Sequence, residues 1–117
     1  MVTPLTASVT IDGSGPQAYT LVELAGEADV TVIKTLQALL EAETSKRPGL
    51  LIIEMSALRY MDSAALQQIL RAHVALEAAG GRLALVSPHE VVARVLRMTE
   101  VDQVLPVYAT VADAAAR

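Results

Sequence analysis

A chain of 117 residues fits one domain with one core and is too short to hold a substrate domain beside a cofactor domain. Its formal net charge of −4 opposes long-range attraction to phosphate backbones and anionic lipid, so neither nucleic acid nor a membrane is expected as a direct partner. With 53% hydrophobic residues, no Cys, Phe or Trp and only Tyr19, Tyr60 and Tyr108 as aromatics, the core must be aliphatic, and neither a disulfide framework nor a thiolate metal site can form.

From the N-terminus, Met1 to Thr10 lacks a basic-then-apolar leader pattern, and the longest apolar runs, such as Gly49 to Ile53, fall well short of the roughly 20 residues that cross a bilayer. A soluble, cytoplasmic protein is the expectation. Ala7 to Ile11 alternates apolar and polar residues as a half-buried strand does, and Asp12-Gly13-Ser14-Gly15-Pro16 then breaks the pattern, which predicts a hairpin turn. The returning arm, Tyr19 to Leu24, alternates until Ala25-Gly26-Glu27-Ala28-Asp29 interrupts it. Asp29 is a good N-cap, so a helix is predicted to start there. Val32, Ile33, Leu36, Leu39 and Leu40 keep the spacing of one buried helix face, and Lys46-Arg47-Pro48-Gly49 ends it.

Leu50 to Ile53 is apolar without alternation, as suits a central strand covered on both faces. Beyond Leu58 to Met61, the stretch from Ala64 to Ala79 predicts a helix with Leu66, Ile69, Leu70, His73 and Leu76 on one side, closed by Gly80-Gly81. Leu83 to Val86 predicts a second apolar strand. Ser87-Pro88-His89-Glu90 then reads as a capping box with proline at the first helical position, opening a helix to about Met98. Pro106-Val107-Tyr108 predicts a last edge strand, and Thr110 with Asp113 caps a short terminal helix. The order β-β-α-β-α-β-α-β-α predicts one α/β domain over residues 1–117, with its core at about 8–116. Its mixed sheet of four or five strands should be flanked by about four helices. Leu36, Leu40, Ile52, Leu66, Ile69, Leu70 and Leu85 are predicted core residues.

Parallel strands bring the loops at their C-terminal ends onto one rim, where α/β domains place their sites. Two segments meet there: Gly26-Glu27-Ala28-Asp29-Val30 and Tyr60-Met61-Asp62-Ser63-Ala64-Ala65-Leu66. Ser63 stands at a strand-to-helix junction, where a serine most simply serves as an N-cap. Glu27, Asp29 and Asp62 taken singly are acids suited to helix starts.

Over about Ser8 to Tyr108 the sequence resembles a STAS domain of the bacterial anti-sigma-factor antagonist type. The resemblance rests on Gly26-Glu27-Ala28-Asp29 before the first helix and on Tyr60-Met61-Asp62-Ser63-Ala64-Ala65-Leu66 after an apolar strand. Arg71-Ala72-His73, Gly80-Gly81-Arg82-Leu83 and Leu105-Pro106-Val107-Tyr108 extend it. It implies that Ser63 is the phosphoacceptor of an anti-sigma factor that is itself a histidine-kinase-like serine kinase. It also implies that Glu27, Asp29, Asp62, Ala64 and Ala65 line the partner surface. Ala64 replaces the usual Ser or Thr and Ala65 the usual glycine; alanine stiffens the helix start that glycine leaves free. Glu54 stands where many relatives carry Asp or Asn.

The implied protein is a non-catalytic regulator without metal or cofactor. It binds the kinase when unphosphorylated, is released by phosphorylation, and so controls sigma-factor-dependent transcription; a weak homo-oligomer is left open. The rivals are an accessory subunit of a membrane lipid transporter and a scaffold component of a stress-sensing assembly. A hydrolase is disfavoured because the side chains of adjacent Asp62 and Ser63 diverge, and His73 and His89 read as packed and solvated histidines. Gly13-Ser14-Gly15 lacks the trailing residues of a phosphate loop, and Arg94 and Arg97 read as a solvated face.

Overall fold

A computed structural model of the protein describes residues 4–12 and 18–116. Strands β1 (Thr6–Asp12) and β2 (Tyr19–Ala28) pair antiparallel, so the predicted hairpin arms are present; residues 13–16 of the predicted turn lie outside the described residues. After a 3-10 turn (Val30–Val32), α1 (Ile33–Thr44) leads to β3 (Leu50–Met61), α2 (Ser63–Ala78) and β4 (Arg82–Val86). Helix α3 (Glu90–Met98), a second 3-10 turn (Val101–Gln103), β5 (Val107–Tyr108) and α4 (Val111–Ala115) complete the fold. The sheet order is β1-β2-β3-β4-β5, with β2 to β5 mutually parallel. It is the mixed five-stranded sheet with four helices that the sequence predicts.

The two sheet faces are covered unequally. On one, Val22, Leu24, Leu51, Ile53 and Met55 pack with Leu36 and Leu40 of α1, Leu66, Ile69 and Leu76 of α2, and Val92 and Leu96 of α3. On the other, Leu50, Ile52, Ala84 and Val86 pack with Ala114 of the short α4, with Val111 and Ala115 at the margin, and Arg82 anchors that helix by donating from Nη2 to the Ala114 carbonyl at 3.1 Å. Of the predicted core leucines and isoleucines, Leu70 alone is half-buried at its edge, while Leu36, Leu40, Ile52, Leu66, Ile69 and Leu85 are buried.

At the rim of the sheet that carries the N-terminal ends of β3 and β4, α2 closes on a Schellman turn. Gly80 (φ +86°) donates to the Glu77 carbonyl and Gly81 to that of Leu76, at 3.1 and 2.8 Å. A Cβ on Gly81 would lie 2.5 Å from the Pro48 carbonyl oxygen, so the turn seats directly on the loop entering β3.

Several predicted boundaries are corrected. Strand β2 continues through Ala28 instead of breaking at Ala25, and β3 runs to Met61 rather than stopping at Ile53. Their register slips twice: Glu23↔Glu54 is followed by Ala25↔Ala57, and Gly26↔Leu58 by Glu27↔Tyr60, each slip placing one extra residue on β3. Such bulges reset the inside-outside alternation and bend the strand. The buried residues of β3 therefore fall at Met55, Leu58 and Met61, three apart, where an alternating pattern would place them two apart. Gly26, on β2 where the second slip begins, has φ +94°, a backbone conformation that glycine adopts without strain. The helix predicted to start at Asp29 opens as the 3-10 turn, and Asp29 caps that turn. Ser87 does not cap α3. Its φ is +52° and its hydroxyl donates to the Ala109 carbonyl, while His89 caps the helix by accepting from Val91 N–H at 3.4 Å.

Candidate functional site

Because β3 continues past its last pairing with β4 at Glu54↔Val86, its second half pairs with β2 alone and carries the site beyond the body of the sheet. The two strands end together at Ala28↔Met61, and Asp62 N–H donates to the Ala28 carbonyl at 3.2 Å. That bond fixes Asp62 beside the chain that enters Asp29, so the acids of the two predicted segments share one rim. Asp29 accepts from the backbone and hydroxyl of Thr31. Asp62 accepts from Ala65 N–H at 2.9 Å, and its own carbonyl receives the first helical bond, from Leu66 N–H at 3.1 Å.

Asp62 is therefore the N-cap of α2, and Ser63, read from sequence as a cap, is the first residue of the helix. The difference has a chemical consequence. A capping serine has its oxygen committed to a backbone N–H, whereas the exposed hydroxyl of Ser63 is not called on to cap. It projects at the positive end of a 16-residue helix, next to Asp62; Glu27 and Asp29, at the end of the neighbouring strand, are half-buried as Asp62 is. The flanking alanines differ: Ala64 is half-buried at the surface, but Ala65 is fully buried in the core. The assignment of Ala65 to a partner surface is thus corrected, since its Cβ belongs to the core under the sheet and not to the solvent-facing side.

A comparison with family models matches the STAS domain over residues 9–114. The chain belongs to the STAS domain family. Among solved structures, a Mycobacterium paratuberculosis anti-sigma factor antagonist is 25% identical and superposes with a TM-score of 0.85, covering 97% of this chain and 92% of that one. A Thermotoga maritima protein described as an anti-sigma factor antagonist is also 25% identical, with a TM-score of 0.79 over 94% of this chain and 92% of its own. The Bacillus cell fate determinant SpoIIAA in its phosphorylated form shares the fold at 21% identity and a TM-score of 0.66, over 94% and 98% of the two chains. A comparison with individually curated proteins found no match.

Two rim residues of this STAS domain have no role in the sequence reading. Tyr60, at the register position beside Glu27, is 41% exposed, and Val30, next to Asp29, is 69% exposed. Both set apolar surface against the acids. The signal for Tyr60 is the three-residue spacing of Met55, Leu58 and Met61, which turns it outward. The histidines stand elsewhere. His73 is buried on α2, with Nε2 3.4 Å from Glu77 Oε1, and ten residues of helix separate it from Ser63 by about 15 Å. His89 holds the start of α3 and lies 3.2 Å from Arg59 Nη1. Glu54, in mid-β3 on the thinly covered face, accepts from the backbone and hydroxyl of Ser56 at the first bulge. Among the described residues no helix is long and apolar enough to cross a membrane.

Proposed function

We propose that this STAS domain is an anti-sigma factor antagonist, a non-catalytic cytoplasmic regulator whose affinity for a serine-kinase anti-sigma factor is switched by phosphorylation of Ser63. The observation that carries the reading is the exposed Ser63 at the first position of α2, with Asp62 taking the capping duty beside it. A phosphoacceptor must present its oxygen to a kinase without unravelling its own helix, and this division of labour allows both. Relatives with the same fold support it: two are described as anti-sigma factor antagonists, and a third is seen in a phosphorylated form.

In this reading Glu27, Asp29, Asp62 and Ala64 contact the partner. Phosphate adds about −1.5 to −2 charges at a helix N-terminus, which favours the helix. The switch therefore acts across the interface, where the new charge joins three acids, and leaves the antagonist's fold intact. Release of the anti-sigma factor restores its hold on the sigma factor, so transcription from that sigma factor falls.

The test is titration of wild type, Ser63→Ala and Ser63→Asp against a histidine-kinase-like anti-sigma factor of the same organism, with mass spectrometry of the wild type after incubation with ATP. Ser63→Ala should bind as wild type does. Ser63→Asp should bind about tenfold or more weakly, and phosphate should appear on Ser63 alone. Equal affinities for all forms, or phosphate on another residue, would overturn the switch and favour an accessory role in a membrane transporter.

A further inference from the structure

The edge of the sheet opposite β5 is β1, which among the described residues pairs with β2 alone and has no strand on its other side. Edge strands of natural proteins are guarded by lysine, proline, a bulge or a covering segment. Thr6–Asp12 contains neither lysine nor proline, its register with β2 runs unbroken from Thr6↔Ala25 to Asp12↔Tyr19, and every residue from Thr6 to Ile11 is exposed. Val9 and Ile11 are 38% and 69% exposed.

The strand is also complementary to itself. Ala7 and Val9 stand opposite Leu24 and Val22, which are buried under the helices, so Ala7, Val9 and Ile11 share the helix-bearing face. Ser8, hydrogen-bonded to Glu23 at 3.4 Å, shares the other face with Thr6 and Thr10. An antiparallel pairing about a two-fold axis through Val9 sets Val9 against Val9, Ala7 against Ile11, Ser8 against Thr10 and Thr6 against Asp12. Apolar residues then meet apolar ones, hydroxyls meet hydroxyls, and the strand's one acidic position falls in register with a threonine. The other sheet edge, β5, is two residues long, so this pairing closes at two chains and does not propagate.

We propose that a second copy of this chain docks on β1, joining two five-stranded sheets into one continuous sheet across a two-fold axis at Val9. The inference is independent of the role of Ser63, which lies at the C-terminal ends of β2 and β3.

Because the chain has no cysteine, a single Val9→Cys substitution is a clean reporter. Directly opposed residues of an antiparallel pair have Cα atoms about 4.5 to 5.5 Å apart, within disulfide reach. Mild oxidation of V9C should give a disulfide-linked dimer. Ile11→Cys should not, because its own copy lies four residues along the strand, about 13 Å away. Sedimentation equilibrium of the wild type should show mass rising with concentration from 12.4 kDa toward twice that. Val9→Lys/Ile11→Lys should remain monomeric with an unchanged circular dichroism spectrum. A wild type that stays monomeric at every concentration, or equal cross-linking of V9C and I11C, would overturn the proposal.

Discussion

Asp62 and Ser63 are adjacent, both are good helix caps by type, and the structure gives them different work. Asp62 Oδ1 satisfies the Ala65 N–H, so Asp62→Ala leaves that donor without its partner and should cost about 0.5 to 2 kcal/mol. Ser63→Ala removes a hydroxyl that is exposed and outside the cap, and should fall within about 0.5 kcal/mol of wild type. Urea unfolding of the two variants compares them directly, and an equal loss would mean that the cap is shared. Sequence alone locates this junction to within a residue but favours Ser63 as the cap, where the structure has Asp62. Asp and Ser differ little in capping preference, and the decision depends on the Asp62 N–H bond to Ala28 on the neighbouring strand, a contact between residues far apart in sequence. Ala65 went astray for a similar reason, since which side of the first helical turn meets the core depends on where the cap falls.

At the scale of elements, order and type were legible because each helix carries a 3.6-residue apolar stripe and the start of β3 is an unbroken apolar run. What was not legible is the second half of β3. Two extra residues opposite β2 convert a two-residue period into a three-residue one, and Met55, Leu58 and Met61 then match neither the strand nor the helix template. Strand β4 ends at Val86, opposite Glu54, so the bulged half of β3 is also the half that runs on beside β2 and leads to Ser63. Leu58 is completely buried between the two slips. Leu58→Ala should cost about 2 to 5 kcal/mol, whereas Ala57→Ser, at an exposed neighbour, should stay within about 0.5 kcal/mol. Thermal or urea unfolding distinguishes them, and a Leu58→Ala variant as stable as wild type would contradict the inward course of the bulged strand.

For the whole molecule the deciding quantity is charge. The chain carries a formal −4, and Glu27, Asp29 and Asp62 are half-buried at the rim that a partner would cover. Two mechanisms could make a phosphate at Ser63 expel a partner: the Coulombic cost of docking against a rim made still more acidic, and bulk that spoils the fit. They differ in their response to salt. Coulombic repulsion at a solvated interface is screened over a Debye length of about 10 Å at 0.1 M ionic strength and about 3 Å at 1 M. A steric misfit is unaffected. If repulsion dominates, the affinity ratio between wild type and Ser63→Asp should be largest at low salt and should shrink by about tenfold as ionic strength rises to 1 M. Titrations across that range, with the anti-sigma factor held constant, measure the ratio directly. Asp is the suitable substitute because it adds charge with little bulk. A ratio that stays constant with salt would therefore assign the switch to the fit of the partner around the Ser63 hydroxyl and remove the rim acids from the mechanism.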